Sequence, residues 1–166
     1  MIRTPFNKSF FLRYSLLSFT LFFFSCSGLP VFQQGVEFEN GFWEPSQITE
    51  FKVNIENPEK SCDVSVDFKN TKDFLSSNIW LNISVISPSG KNQSERVEFF
   101  ITDNKGKWLG NERRHSVENK FLFKKNIRFP EKGIYIFKIA QIMRENFTPR
   151  ALSVGISIED SKKLQN

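Results

Sequence analysis

Apolar and polar residues alternate along much of the chain with the two-residue period of a half-buried β-strand. Phe51, Val53 and Ile55 alternate with Lys52, Asn54 and Glu56, and Asn57-Pro58 ends the run. Val64, Val66 and Phe68 repeat the pattern, as do Leu81, Ile83 and Val85 before the turn Ser87-Pro88-Ser89-Gly90. Val97, Phe99 and Ile101 follow, stopping at Asp103-Asn104. Residues 121–127 form a further candidate strand, and the segment from Phe129 to Gly133 reads as a turn shaped by Pro130 and closed by glycine. The run 134–139 carries apolar residues on both faces, which predicts a central strand covered on both sides. Leu152, Val154, Ile156 and Ile158 make a last alternating strand, and residues 140–146 predict at most one short helical turn before Thr148-Pro149.

Six to eight short strands with turns between them and no internal repeat predict an all-β fold, an antiparallel β-sandwich of jelly-roll or immunoglobulin-like kind. It is expected to occupy residues 36–160 as one domain, with 161–166 as a tail. Residues 106–119 are the least regular stretch. They predict a long exposed loop, the natural place for a binding function.

The first 25 residues differ from the rest in kind. Arg3, Lys8 and Arg13 precede an apolar stretch at 14–24, and Ser25 follows it, which is the layout of an export signal. Eleven apolar residues would span about 16 Å as a helix, roughly half a bilayer core, so a permanent membrane span is a poor fit. Phe23-Phe24-Ser25-Cys26 resembles the bacterial lipobox, where an apolar residue three places before cysteine and a small one just before it direct acylation and cleavage; Phe23 stands where leucine is usual. Residues 1–25 are thus expected to be removed. Residues 26–35 become a lipidated cysteine and tether, since one fatty chain binds a membrane marginally and two anchor it stably. The rival reading is an unmodified thiol after an ordinary signal peptide.

This leader also corrects the composition. Seven of the 20 phenylalanines lie within it, and removing its three basic residues lowers the formal charge from +5 to +2. A mature domain so near neutrality lacks the basic field that binds phosphate backbones, so nucleic acid is not an expected partner. Hydrophobic residues at 39% are enough for a packed core.

Candidate chemistry is sparse. His115 is the one histidine, in a charged loop, and with Cys26 lipidated only Cys62 remains, so His and Cys cannot build an ordinary zinc site. Cys62, flanked by Asp63, Val64 and Val66, reads as a buried small hydrophobe. No Gly-x-Ser-x-Gly elbow or phosphate loop is present, and acid pairs such as Glu37 with Glu39 or Asp63 with Asp67 fall on solvated strand faces. The expectation is a non-enzyme without metal or cofactor. Trp43, Trp80 and Trp108 offer one alternative, a stacking platform for carbohydrate.

Gly106-Lys107-Trp108-Leu109-Gly110 is followed by Arg128-Phe129-Pro130, Gly133-Ile134-Tyr135-Ile136-Phe137 and Gln141-Ile142-Met143-Arg144. With Gly41-Phe42-Trp43 and residues 74–78 upstream, these blocks resemble the gliding motility lipoprotein H (GldH) family over most of the mature chain. The resemblance implies a cell-envelope lipoprotein needed for gliding and linked to the motor and its secretion system, with other envelope proteins as partners and no catalytic residues to carry over. Gly106, Gly110, Arg128, Phe129, Pro130, Gly133, Tyr135, Phe137, Met143 and Arg144 are expected to play structural parts, the glycines at 106 and 110 through positive φ. Lys107, Trp108, Leu109, Arg113 and Arg114 are the candidate partner-binding or structural loop. Ser27 after the cysteine, without the aspartate linked to inner-membrane retention, points to the outer membrane. The absence of acids in Ser27-Gly28-Leu29-Pro30 points to its periplasmic face.

Labelled palmitate is expected to enter the wild-type chain and not a Cys26→Ala variant, which should leave the membrane fraction. An unlabelled wild type and a variant that still sediments with membranes would remove the anchor from this reading.

Overall fold

A strand in a two-layer structure offers only alternate side chains to the core, and this rule sorts most of the chain. The computed structural model describes residues 30–144 and 148–161. The expectations for the leader, Cys26 and residues 162–166 lie outside the described residues. Within them, in chain order, are β1 (Phe32–Glu37), β2 (Phe42–Trp43), β3 (Thr49–Ile55), β4 (Cys62–Thr71), β5 (Asn78–Ile86) and β6 (Asn92–Phe100). There follow β7 (Asn111–Glu112), β8 (Ser116–Ile127), β9 (Gly133–Gln141), β10 (Thr148–Pro149) and β11 (Ala151–Asp160). Pairing is antiparallel throughout. One sheet has the order β1-β11-β4-β8-β7, the other β3-β9-β5-β6, and β2 with β10 forms a small ribbon. This is the antiparallel sandwich that the alternation predicts.

β3 shows the cause most plainly: Thr49, Phe51, Val53 and Ile55 are buried, while Glu50, Lys52 and Asn54 are exposed. Phe51, Ile79, Leu81, Ile83 and Phe137 fill the core from the four-stranded sheet. Val64, Val66, Phe68, Ile156 and Ile158 meet them from the other side.

Several elements differ from expectation. β1 begins at Phe32, inside the segment read as tether, and pairs with β11 from Phe32↔Ile158 to Glu37↔Ser153. An edge strand needs few inward residues, and here Phe32 and Val36 alone pack against the core, so the alternation is too short to read. β9 is not covered on both faces: Tyr135, Phe137, Ile139 and Gln141 are buried, but Ile134 is 55% exposed because nothing packs on the outer face there. β6 starts at Asn92, extending over polar positions that no apolar period marks. Ala140 and Gln141 belong to β9, and Ile142 to Arg144 are not helical, so no helical turn forms there; residues 145–147 lie outside the described residues. The long loop at 106–119 is shorter and more ordered than predicted, since β7 and β8 begin within it.

The two ends of the sandwich are filled differently. At the end holding the β4–β5 turn, aromatic rings make a plug: Phe38 stacks on Trp43 at 4.7 Å, Trp43 meets Phe68 at 6.5 Å, and Phe68 meets Phe74 edge-on at 5.7 Å. Trp43 is fully buried and its indole N–H donates to the Gln47 carbonyl at 2.9 Å. At the opposite end, where β1 begins and β8 turns into β9, the register slips. β4 advances four residues from Cys62 to Val66 while β8 runs six, from Ile127 to Phe121. Such bulges bend a strand away from its partner. Asn126 takes up the kink at φ 52°, and its backbone N–H donates to Asp63 Oδ1 at 2.7 Å. The Ser161 hydroxyl donates to the same oxygen at 2.6 Å, and these two bonds hold the Asp63 carboxyl below its ordinary pKa.

Replacing a large buried aromatic by alanine costs about 3–5 kcal/mol. Trp43→Ala is therefore expected to lower the urea midpoint severely, and Trp80→Ala, at 39% exposure, far less. Equal shifts for the two would contradict the plug.

Candidate functional site

Asp103 organises the first of the two segments singled out by sequence. Its Oδ1 accepts the backbone N–H groups of Lys105 at 2.8 Å and Lys107 at 2.9 Å, and its own N–H donates to the Lys107 carbonyl at 2.9 Å. Gly106, at φ 78°, supplies the left-handed residue this tight turn requires. Trp108 bridges back to Thr102 and packs half-buried against the core, while Leu109 is 60% exposed. Gly110 does not have a positive φ. A Cβ there would lie 2.6 Å from the Glu118 carbonyl oxygen and closer still to Asn119 Oδ1, so this glycine serves close approach of β8. The positive-φ expectation is thus corrected at Gly110. Arg113 grips Glu118 through Nε and Nη2, both at 2.9 Å, and Lys107 and Arg114 are exposed. Lys107, Trp108, Leu109, Arg113 and Arg114 therefore share the plugged end.

Arg128, Phe129, Pro130, Gly133, Tyr135 and Phe137 occupy the opposite end, on the β8–β9 turn and β9. Phe129 packs on Tyr135 at 4.9 Å and edge-on to Phe137 at 6.4 Å. The Tyr135 hydroxyl accepts the Glu131 N–H at 3.0 Å and donates to the Glu131 carbonyl at 3.2 Å, closing the turn. Burial pushes its pKa above the ordinary phenol value. Met143 stands apart, at the plugged end: its Sδ accepts the Trp80 backbone N–H at 3.3 Å, and its own N–H donates to Gln141 Oε1 at 2.8 Å. Arg144 beside it is exposed. The motif residues thus fall into two groups at opposite ends rather than one constellation.

A cavity of about 640 Å³ opens between the sheets at the β8–β9 end. Val64, Phe123 and Ile127 wall it from one sheet, Ile83, Val85 and Phe137 from the other, and Phe129 and Tyr135 complete the apolar lining. Charged groups ring the mouth. The Lys124 ammonium pairs with Glu95 across the gap between β8 and β6, and sits 4.7 Å from the Phe123 ring centroid. Glu131 is held by the backbone N–H of Ser89 at 3.0 Å and its hydroxyl at 2.7 Å. Arg128 reaches only the exposed Glu59, at 3.9 Å, and among the described residues Lys91 has no ion-pair partner. Sequence reading missed this cavity. It named the motif residues on one side, but Phe123 and Ile127 lie on β8 where its register slips, and Val85 faces them from β5 in the other sheet.

The remaining chemistry is quiet. Cys62 is free and buried, and burial raises its thiol pKa, which makes it a poor nucleophile. His115 is exposed. No group of three His, Cys, Asp or Glu side chains among the described residues is placed to hold a metal ion. With Trp43 wholly buried, the three tryptophans do not form a common surface. Asp67 lies on the outer face of the five-stranded sheet, where Gln33 Nε2 and Ser157 Oγ each donate to it at 3.3 Å. Burial outweighs these bonds and raises its carboxyl pKa.

A family model described as GldH lipoprotein matches residues 30–158. The chain is 31% identical over 104 residues to a gliding motility lipoprotein GldH homolog of Christiangramia forsetii, covering 63% of this chain and 64% of that relative. It is 24% identical over 131 residues to gliding motility lipoprotein GldH of Flavobacterium johnsoniae, covering 79% and 80% respectively. The first match thus spans a little under two thirds of the relative's length.

A carboxyl whose pKa is raised by folding is held protonated more tightly in the folded chain. Its ionisation therefore erodes stability as pH climbs from the ordinary value of 3.8 through the folded value. Asp67→Asn is expected to melt at a higher temperature than wild type at pH 7, with the difference shrinking toward pH 3. A variant less stable at pH 7 would show that the two donated bonds outweigh burial.

Proposed function

We propose that this chain, which belongs to the GldH lipoprotein family, is a lipid-anchored, non-catalytic component of the gliding motility apparatus and its associated secretion machinery. The family match from residue 30 to residue 158 carries this reading, because it takes in nearly the whole sandwich. The leader and Cys26 support the anchor, and Ser27 to Pro30 favour the periplasmic face of the outer membrane. Among the described residues no helix is long and apolar enough to cross a membrane.

The two ends divide the labour. β1 starts at one end, so the segment from Cys26 joins the domain there. The hairpin with Lys107, Leu109 and Arg114 exposed lies at the other, turned away from the anchor and free to meet a protein partner. An exposed leucine among cations is the composition of a contact patch rather than of a catalytic cleft.

Deleting the chain is expected to abolish surface spreading and reduce secreted products. Restoring it with Leu109→Asp and Arg114→Glu together should give a folded, membrane-bound protein that fails to recover either. A deletion strain that spreads and secretes normally would reject the reading. Full recovery by the double variant would move the contact surface elsewhere.

A further inference from the structure

The cavity between the sheets has no part in the function argued so far. We propose that it binds a single acyl chain carrying an anionic head, such as a fatty acid or a membrane phospholipid supplies; its placement near a bilayer rests on the lipid anchor proposed above.

Size and lining point to a chain-like apolar body. The volume, about 640 Å³, lies within the range of about 300–1,000 Å³ found for small-molecule sites, which are mostly apolar with a few polar groups at the rim. Besides the charged rim, the polar side chains lining it are Ser87, the exposed Gln93 and Ser94, and Tyr135, whose hydroxyl is already engaged with Glu131. The walls of Ile83, Val85, Phe123, Ile127 and Phe137 offer no side-chain hydrogen bond. A polar ligand would lose its hydration there without replacement.

The rim selects the head. Its two acids are occupied, Glu95 by Lys124 and Glu131 by Ser89. Of its three cations, Lys91 is without an ion-pair partner among the described residues and Arg128 has only a long, exposed contact. Glu131 keeps its negative charge, because Ser89 donates hydrogen bonds without neutralising it. An anion at the mouth therefore meets three cations against two acids, with Lys91 and Arg128 the least committed charges.

The Lys124–Glu95 pair argues for a single chain over a peptide strand. It ties the free edges of β8 and β6 together, and a strand added along either edge would need that tie removed along its length. Exposed pairs of this kind are weak, so a chain entering end-on needs only a brief opening.

Position supplies the source. Phe32 opens β1 at the cavity's end of the sandwich, since β1, β11, β4 and β8 are neighbours and Phe32, Ile158, Val64 and Lys124 lie in successive register. Three strand spacings separate Phe32 from Lys124, about 14 Å. The six residues from Cys26 to Phe32 reach at most about 20 Å. An acylated Cys26 would thus keep the mouth within about 34 Å of lipid at full extension.

The test uses the full chain in its producing cells, fed an alkyne-bearing palmitate with a photoactivatable diazirine. Label on the Cys26 peptide without light reports the anchor. Light-dependent label on the peptides holding Val85, Phe123 or Ile127 reports the cavity, so the two readings fail separately. Adduct mass tells free fatty acid from phospholipid. The expected result is light-dependent label at the cavity, reduced at least fivefold by Val85→Trp, which fills it, and by Lys91→Glu with Arg128→Glu, which reverses its rim. Should Val85→Trp not fold by thermal melting, the rim variant decides alone. Absence of light-dependent label at those peptides, label unchanged in the folded variants, or crosslinks there to a protein segment instead would each overturn the proposal.

Discussion

β8 carries two more residues than β4 can pair near Ile127, and much of the molecule's character descends from that surplus. A ladder cannot absorb extra residues without leaving backbone groups unpaired, and unpaired groups must find partners or remain hydrated. Asp63 provides one, accepting the Asn126 N–H and thereby holding a left-handed asparagine that would otherwise be an unfavoured conformation. The strand swings outward, taking Phe123 and Ile127 with it, and the space it leaves stays open. At the other end β11 carries one surplus residue, Leu152, against β4, yet Trp43, Phe38, Phe68 and Phe74 close the sandwich. One protein thus has a sealed end and a hollow one.

Legibility in the sequence followed the same physics. Where one strand face is buried and the other wet, as in β3 and β5, alternation displays the strand directly. β1 escaped notice because an edge strand with two inward side chains leaves almost no period. In β9, Ile134 and Ile136 look like buried positions because β-branched residues suit an outer strand face as well as a core. The turn around Glu131 was visible from Pro130 and Gly133. The cavity was not, because register is a relation between strands far apart in the chain and composition says nothing about it. Gly110 shows the same limit: glycine marks a constraint without saying whether it is a torsion or a clash.

Both segments that carry the family resemblance are built on local backbone recognition. Asp103 gathers two turn residues, Lys105 and Lys107, around one carboxylate, and Tyr135 holds Glu131 by both of its peptide groups. These arrangements keep the two ends rigid without demanding burial of charge. Along the side, β6 is an open edge, and Glu95, Arg96 and Glu98 on it are the kind of charged side chains that discourage pairing with another chain.

The attachment of β1 has a mechanical consequence. β1 enters the sheet from the same end as its N-terminus and runs antiparallel to β11 through six matched positions, with Gly35 facing Gly155 at close approach. A pull on the N-terminus, resisted by a grip on the far hairpin, runs along the axis of β1. It shears all its hydrogen bonds at once instead of peeling them singly, so the weakest-looking strand is loaded in its strongest direction.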